Sequence, residues 1–182
     1  MDTSLKGILK TYNEYVQNFS NGEIPLFLEG GYQAKGTIIW NKPANEKQIS
    51  ELFQKKKWYL PEDLYEFYLI HNGGVLFRPS GSGGGTELLS LEKIEILHSE
   101  LAALPKNWYP IAWTDKVIGS ICIDSDKCKH NQYPYLYFLD AMDTPDEAIP
   151  IHTDFTTWLN RLLVCQGEEY WLWDKYNKLS FK

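Results

Sequence analysis

The chain has 182 residues, of which 43% are hydrophobic and 23% charged, so it can bury a core and is not intrinsically disordered. Its formal net charge is −6, and residues 61–182 carry eighteen Asp and Glu against ten Lys and Arg. Because DNA and RNA binding depends on clustered cations, we expect no nucleic-acid partner for a chain with only two arginines.

The number of cysteines and the hydropathy of the chain indicate the cellular compartment of the protein. Three cysteines in a chain of this length do not form a disulfide framework. The N-terminus lacks the apolar core of a secretory signal, and no apolar run approaches the ~20 residues needed to span a bilayer. We therefore expect one domain in the cytoplasm, without a membrane partner.

The first third of the chain predicts two helices and a hairpin. Apolar residues at helical spacing predict an amphipathic helix over residues 4–18. Strand-like segments 24–28 and 37–40 are separated by glycines, which favours a hairpin. Asn45 and Gln48 have the spacing of a reciprocal capping box at the start of the next helix.

The segment 60–74, LPEDLYEFYLIHNGG, predicts a short helix with both ends specified. Pro61 suits the first helical position, where its missing N–H has no partner. Asn72, Gly73 and Gly74 are residue types that take the left-handed backbone that closes a helix. A buried strand follows at once, so the segment is a packed joint without a reactive group.

The remaining elements alternate irregularly. The glycine-rich loop 79–85 is expected to be mobile, and Glu87 follows it where a phosphate-binding loop needs a lysine. Further predictions are a helix capped by Ser90, strands over 111–113, 121–123 and 135–139, a helix over 155–163, and a helical or extended segment over 170–176. Frequent hairpins among helices indicate an α+β domain with a mainly antiparallel sheet.

The sequence contains few patterns that are typical of metal binding or catalysis. Cys122, Asp124, Asp126, Cys128 and His130 alternate, which on an extended chain places them on one side. The two cysteines would then lie roughly 20 Å apart, too far for one zinc ion. The chain has no Gly-x-Ser-x-Gly elbow and no paired histidines. We therefore expect no metal, no cofactor and no catalytic residue.

The helix with Leu-Pro-acid-acid at its start and Asn-Gly-Gly at its end resembles the SUKH superfamily of Smi/Knr-related proteins. Segments 43–49, 88–94, 111–124, 135–140 and 155–163 resemble further family elements in the right order. The resemblance implies a SUKH-like core over 43–165, an N-terminal helix and hairpin addition over 1–42, and a C-terminal extension over 166–182 packed on the core. The implied fold is a mainly antiparallel sheet flanked by about four to five helices, with Pro61, Asn72, Gly73 and Gly74 as structural motif residues.

The resemblance also implies a function. Similar proteins are mostly bacterial immunity proteins that bind and neutralise a cognate toxin, often a nuclease, without catalysis; no particular toxin or oligomeric state is specified. The alternatives are a regulatory adaptor in cell-wall or signalling control, and a hydrolase that uses two carboxylates about 5–10 Å apart.

A nuclease toxin must be basic around its substrate groove, so an acidic face would be attracted to it. The candidate partner-binding residues are loop acids and aromatic anchors: Asp115, Asp124, Asp126, Asp140, Asp143, Asp146, Glu147, Trp113 and Tyr133.

Overall fold

The computed structural model of the protein describes residues 3–27, 31–80 and 84–173. Eight strands in these ranges form one sheet, in which each strand is antiparallel to the next and the spatial order follows the chain. They are β1 (Ile24–Phe27), β2 (Gln33–Trp40), β3 (Gly74–Pro79), β4 (Thr86–Leu88), β5 (Trp108–Thr114), β6 (Gly119–Asp124), β7 (Leu136–Asp140) and β8 (Ile149–Ile151).

Six α-helices accompany the sheet in the described ranges: α1 (Leu5–Gln17), α2 (Glu46–Lys56), α3 (Glu62–Ile70), α4 (Leu91–Glu100), α5 (Ser125–Lys129) and α6 (Phe155–Val164). Short 3-10 turns lie at Ser20–Gly22, Pro145–Glu147 and Tyr170–Leu172. The predicted α+β class and antiparallel sheet are confirmed. The short α5 adds a sixth helix to the four or five expected.

The main core lies between one face of the sheet and the helices. In β7, Leu136 and Phe138 point into this core, whereas Tyr137 between them points to the opposite face, as the pleat requires. Phe155 and Trp158 of α6 are fully buried in the main core. On the opposite face, Trp108, Cys122, Tyr137, Leu139 and Leu104 form a smaller apolar cluster. Both faces of the sheet therefore carry buried apolar side chains at strands β5, β6 and β7.

The N-terminal segment is part of the same sheet and core. Leu5, Leu9, Ile24 and Leu26 are buried in the main core, and β2 pairs with β3. β1 is one edge of the sheet. Its outward backbone groups are occupied by the Gln166 side chain, whose Nε2 donates to the Pro25 carbonyl (3.0 Å) and whose Oε1 accepts from the Phe27 N–H (2.9 Å). A side-chain amide thus replaces a neighbouring strand at this edge.

The joint between α3 and β3 differs in detail from its prediction. Pro61 is the residue before the helix rather than its first residue. The helix ends at His71, which has an extended backbone (φ −144°), and Gly73 is the one member of the Asn-Gly-Gly triplet with a left-handed backbone (φ 81°). A Cβ atom at Gly73 would lie 2.4 Å from the Leu88 carbonyl oxygen. Close packing against the end of β4, as well as helix termination, therefore requires this glycine.

Asn72 has a separate structural role, because its Oδ1 accepts from the Leu91 N–H (2.9 Å) at the start of α4. The predicted left-handed conformation at Asn72 and Gly74 is wrong, since neither has a positive φ. Gly74 is instead needed because a Cβ there would lie 2.7 Å from the Ile39 carbonyl oxygen.

The alternating row from Cys122 to His130 is not extended. β6 ends at Asp124, and α5 begins at Ser125. The Asp124 carboxylate caps this helix, which explains why the chain turns there. Two other predictions remain: the loop predicted to be mobile includes residues 81–83, and the predicted last segment includes Tyr176. These residues lie outside the described ranges.

Candidate protein-binding surface

Two loops meet at one end of the sheet. The turn of residues 115–118 joins β5 to β6, and the loop of residues 141–148 joins β7 to β8. Gly119 and Asp140 are register partners, and the Ala141 N–H donates to the Ile118 carbonyl (2.9 Å). The two loops therefore lie side by side. Together with the last residue of β7, they hold five of the predicted residues, which we name the acidic end: Asp115, Asp140, Asp143, Asp146 and Glu147.

Local hydrogen bonds shape the acidic end. The Asp140 Oδ1 accepts from the Met142 N–H (2.9 Å). Thr144 donates to the Glu147 carboxylate from its N–H (2.9 Å) and its hydroxyl (2.8 Å), forming a capping box. The Trp113 Nε1 donates to Asp115 (3.2 Å), so the indole lies half-buried beside the turn. These contacts leave the carboxylates at the surface on ordered backbone.

Apolar side chains lie exposed among these acids. Met142 is 91% exposed and Ile118 is 57% exposed. The backbone bond from the Ala141 N–H to the Ile118 carbonyl places these two residues on adjacent loops. Neither was among the predicted anchors, because sequence periodicity does not distinguish an exposed apolar residue in a loop from a buried one.

The remaining predicted residues lie elsewhere. Asp124, Asp126 and Tyr133 are at the opposite end of β6, roughly 16 Å away at about 3.3 Å per residue. Asp124 is only 7% exposed, and its Oδ1 accepts from the N–H groups of Asp126 and Lys127 (both 3.1 Å). The prediction of one continuous face is therefore corrected: Asp124 is a buried helix cap, and Asp126 and Tyr133 belong to a separate surface.

A cleft of about 420 Å³ opens beside the acidic end. It is formed where β1, the residue before β2, β3, residues 84–86, the β5–β6 turn and residues 166–169 meet. Its apolar walls are Leu26, Tyr32, Phe77 and Pro79. Its charged lining residues within the described ranges are Asp115, Lys116, Glu168 and Glu169. No pattern in the sequence indicates this cleft, because its parts are far apart along the chain.

Glu169 is the unusual member of the cleft. It is only 4% exposed. Its Oε1 accepts from the Val117 N–H (3.1 Å), while its enclosed Oε2 has no hydrogen-bond partner among the residues that the structure describes. Burial raises the pKa of the Glu169 carboxyl, opposed by the Val117 hydrogen bond and by the Lys116 charge. Lys116 itself forms an ion pair with Glu168.

The groups considered for covalent or metal chemistry are not arranged for it. Cys122 and Cys128 are buried free thiols, and burial raises the pKa of the Cys128 thiol to about 12. His130 is exposed, with its Nδ1 at 2.7 Å from the Asp126 carbonyl oxygen. Across residues 3–27, 31–80 and 84–173, no cluster of three or more His, Cys, Asp or Glu residues could hold a metal ion.

The sequence of this chain is similar to those of known proteins. Residues 43–161 match the SMI1 / KNR4 family (SUKH-1). The chain belongs to the SUKH-1 family. It is 33% identical over 135 residues to the uncharacterized protein YnaB of Bacillus subtilis (strain 168), covering 74% of this chain and 87% of YnaB. It is also 30% identical over 167 residues to the uncharacterized protein YobM of the same organism, covering 89% of this chain and 84% of YobM.

Only part of the surface described above lies within the residues that match the SUKH-1 family. The acidic end lies inside the matched residues, whereas Leu26, Tyr32, Glu168 and Glu169 of the cleft lie outside them. The cleft of this SUKH-1 protein is thus formed by additional segments placed against the family core. In the described part of the chain, no helix has both the length and the apolar character to cross a bilayer.

Proposed function

We propose that this SUKH-1 protein is a non-catalytic binding module: a cytoplasmic immunity protein that docks its acidic end on a basic cognate toxin, a nuclease, and blocks it. Family membership supports the general class. The observation that carries the proposal is the acidic end itself, where carboxylates and exposed apolar side chains lie on the same two adjacent loops.

Charge supports a basic partner. Residues 140–160 contain five acids and no Lys or Arg. A surface of one sign attracts a partner of the opposite sign and accelerates association, most strongly at low salt. The substrate groove of a nuclease is positively charged because it binds phosphates. An acidic surface can occupy such a groove in place of nucleic acid.

Apolar exposure supports protein binding rather than solubility alone. A protein interface usually has an apolar centre that dominates the affinity and a polar rim that excludes water. Met142 and Ile118 supply the centre, and the neighbouring carboxylates supply the rim. Two loops on ordered backbone present both, which limits the entropy lost on binding.

The feature that favours the hydrolase alternative is the raised pKa of Glu169 beside a cleft. A general acid must reach the substrate, whereas the Glu169 Oε2 is enclosed and its Oε1 is hydrogen-bonded to Val117. Glu168, the adjacent carboxylate, is already paired with Lys116. The cleft therefore suits binding better than hydrolysis.

The test is binding to, and inhibition of, the toxin encoded beside this protein's gene. The double variant Asp115→Asn/Asp143→Asn is compared with Asp126→Asn/Glu51→Gln, which removes the same charge at exposed sites elsewhere. We expect the first pair to slow association about tenfold at low salt and the second to have little effect. Met142→Ala is expected to weaken binding at least about fivefold, the loss typical of an interface anchor.

Absence of binding to any neighbouring toxin would refute the proposal. Equal losses in the two double variants would refute the acidic end as the docking surface. Capture of a signalling or cell-wall protein in place of a toxin would favour the adaptor alternative.

A further inference from the structure

The cleft beside the acidic end has a composition that points to a specific ligand. We propose that it binds one arginine side chain of the partner protein, with the guanidinium near Glu169 and Asp115 and the aliphatic stem against the apolar walls. This inference rests on the proposed function for its partner, and it identifies the group on that partner that the cleft recognises.

The shape of the cleft suits a long side chain with a planar head. Tyr32 and Phe77 line it together with Leu26 and Pro79. Methylene groups of an arginine bury favourably against such walls. A guanidinium also stacks on aromatic rings, which an ammonium group does less well because it is more strongly hydrated. The volume of about 420 Å³ leaves space for the side chain and part of its backbone.

The charge of the cleft requires a cation. Three carboxylates and one lysine line it within the described ranges. The Lys116–Glu168 ion pair removes one charge of each sign. Asp115 and Glu169 are two further carboxylates, so acidic side chains outnumber basic ones by two in the described lining of this partly apolar site. A guanidinium has five N–H donors and can interact with more than one acceptor at the same time.

The burial of Glu169 is the second, independent observation. A carboxylate buried without a cation is costly, and the cost is reduced when a cation comes close in the low-dielectric surroundings. The Glu169 Oε2 has no partner among the described residues, although Oε1 is bound to Val117. Entry of a cation into the cleft would stabilise this carboxylate through charge, without requiring direct contact with the enclosed oxygen.

The position of the cleft connects it with partner choice. Asp115 belongs both to the cleft lining and to the acidic end, so a partner docked on the acidic end reaches the cleft. The segments that close the cleft lie outside the SUKH-1 match. The family core would thus form the acidic end that docks on the partner, and the added segments would recognise one side chain of that partner.

The experiment uses the full chain and three capped tripeptides, Ac-Ala-Arg-Ala-NH₂ and its lysine and citrulline counterparts, followed by NMR of backbone amides. Citrulline has nearly the shape of arginine without its charge. We expect the arginine peptide to shift the Val117 and Gly167 amides and to bind at least tenfold more tightly than the citrulline peptide. Equal binding of arginine and citrulline, or of arginine and lysine, would overturn the assignment. Shifts confined to residues 141–148 would also overturn it.

Two variants locate the site. Glu169→Gln should weaken the arginine peptide at least tenfold, and Asp115→Asn, at an exposed position, should weaken it at least threefold. Glu95→Gln, on the distant helix α4, should leave the affinity unchanged. If Glu169→Gln does not fold, Asp115→Asn decides the result. Because no toxin is used, peptide binding can succeed where toxin binding fails, so the two proposals fail separately.

Discussion

Glu169 accepts a hydrogen bond from the backbone N–H of Val117 at 3.1 Å, and the preceding residue, Glu168, forms an ion pair with Lys116. Two consecutive acids near the C-terminus thus hold two consecutive residues of the β5–β6 turn. This turn carries Asp115, which belongs to both the acidic end and the cleft. The C-terminal segment therefore fixes the relative position of the two parts of the surface.

Glu169 should make the protein less stable as pH rises. Its pKa is raised in the folded state, chiefly by burial, so its contribution is fully present below the ordinary value of 4.5 and is lost as pH rises through the raised pKa. Relative to the wild type, Glu169→Gln should therefore gain stability between pH 4.5 and 7.5. Urea unfolding at both pH values measures this change.

Glu95→Gln is the control with the opposite sign. Hydrogen bonding to Lys55 is the main cause that lowers the pKa of Glu95, so this residue stabilises the fold above pH 4.5 and ceases to do so at lower pH. Relative to the wild type, the variant should be less stable at pH 7.5, and this difference should disappear as pH falls below 4.5. The same pH response in both variants would show that burial of Glu169 is not the cause.

Gly73→Ala should be far more damaging than Gly31→Ala. Both glycines have a positive φ, 81° and 80°, so both variants incur the backbone cost of about 1–2 kcal/mol. An added Cβ at Gly31 meets no atom within 4 Å, whereas at Gly73 it meets the Leu88 carbonyl oxygen at 2.4 Å. Overpacking should add about 1–3 kcal/mol at Gly73. Equal free energies of unfolding in the two variants would contradict the close packing described between Gly73 and the end of β4.

His71 should destabilise the protein in mild acid. Its ring stacks on Trp40 with 4.6 Å between centroids, its Nε2 has no partner in the described residues, and burial lowers its pKa. Its contribution is present above the ordinary value of 6.5 and is lost as pH falls through the lowered pKa. His71→Phe should reduce the loss of stability between pH 7 and pH 5. An unchanged pH dependence would mean that His71 remains neutral or is hydrated when charged.

Gln166→Glu should weaken the edge of the sheet. The carboxylate can still accept from Phe27 but cannot donate to the Pro25 carbonyl, which should cost about 1–2 kcal/mol. The freed edge should also favour self-association, detectable by light scattering at high protein concentration. Gln132→Glu, at an exposed position, adds the same charge without this effect. Equal behaviour of the two variants would argue against the role of Gln166 at the edge.

Local signals in the sequence predicted local structure well. The capping box of Asn45 and Gln48 is present with both hydrogen bonds (2.9 and 3.0 Å), and Ser90 caps α4. These motifs depend on residues three apart, so the chain itself carries the information. The α6 helix follows its apolar periodicity from Phe155 for the same reason.

Prediction from the sequence failed where a feature depends on short elements or on segments that are distant along the chain. The row from Cys122 to His130 alternates as it would on one side of an extended chain, but capping by Asp124 starts a helix of five residues. β8 has only three residues, including a proline, and gives no periodic signal. Nothing local indicates that Leu26, Phe77, Asp115 and Glu169 line one cleft, since this depends on how the whole sheet is assembled.

The most direct test of the account is hydrogen–deuterium exchange of this protein with and without the toxin encoded beside it. Docking through the acidic end predicts protection in residues 115–118 and 140–148, with residues 124–133 unchanged. Protection only at the opposite end of β6 would contradict docking through the acidic end. Absence of any protection, with a toxin that this protein nevertheless inhibits, would also contradict it.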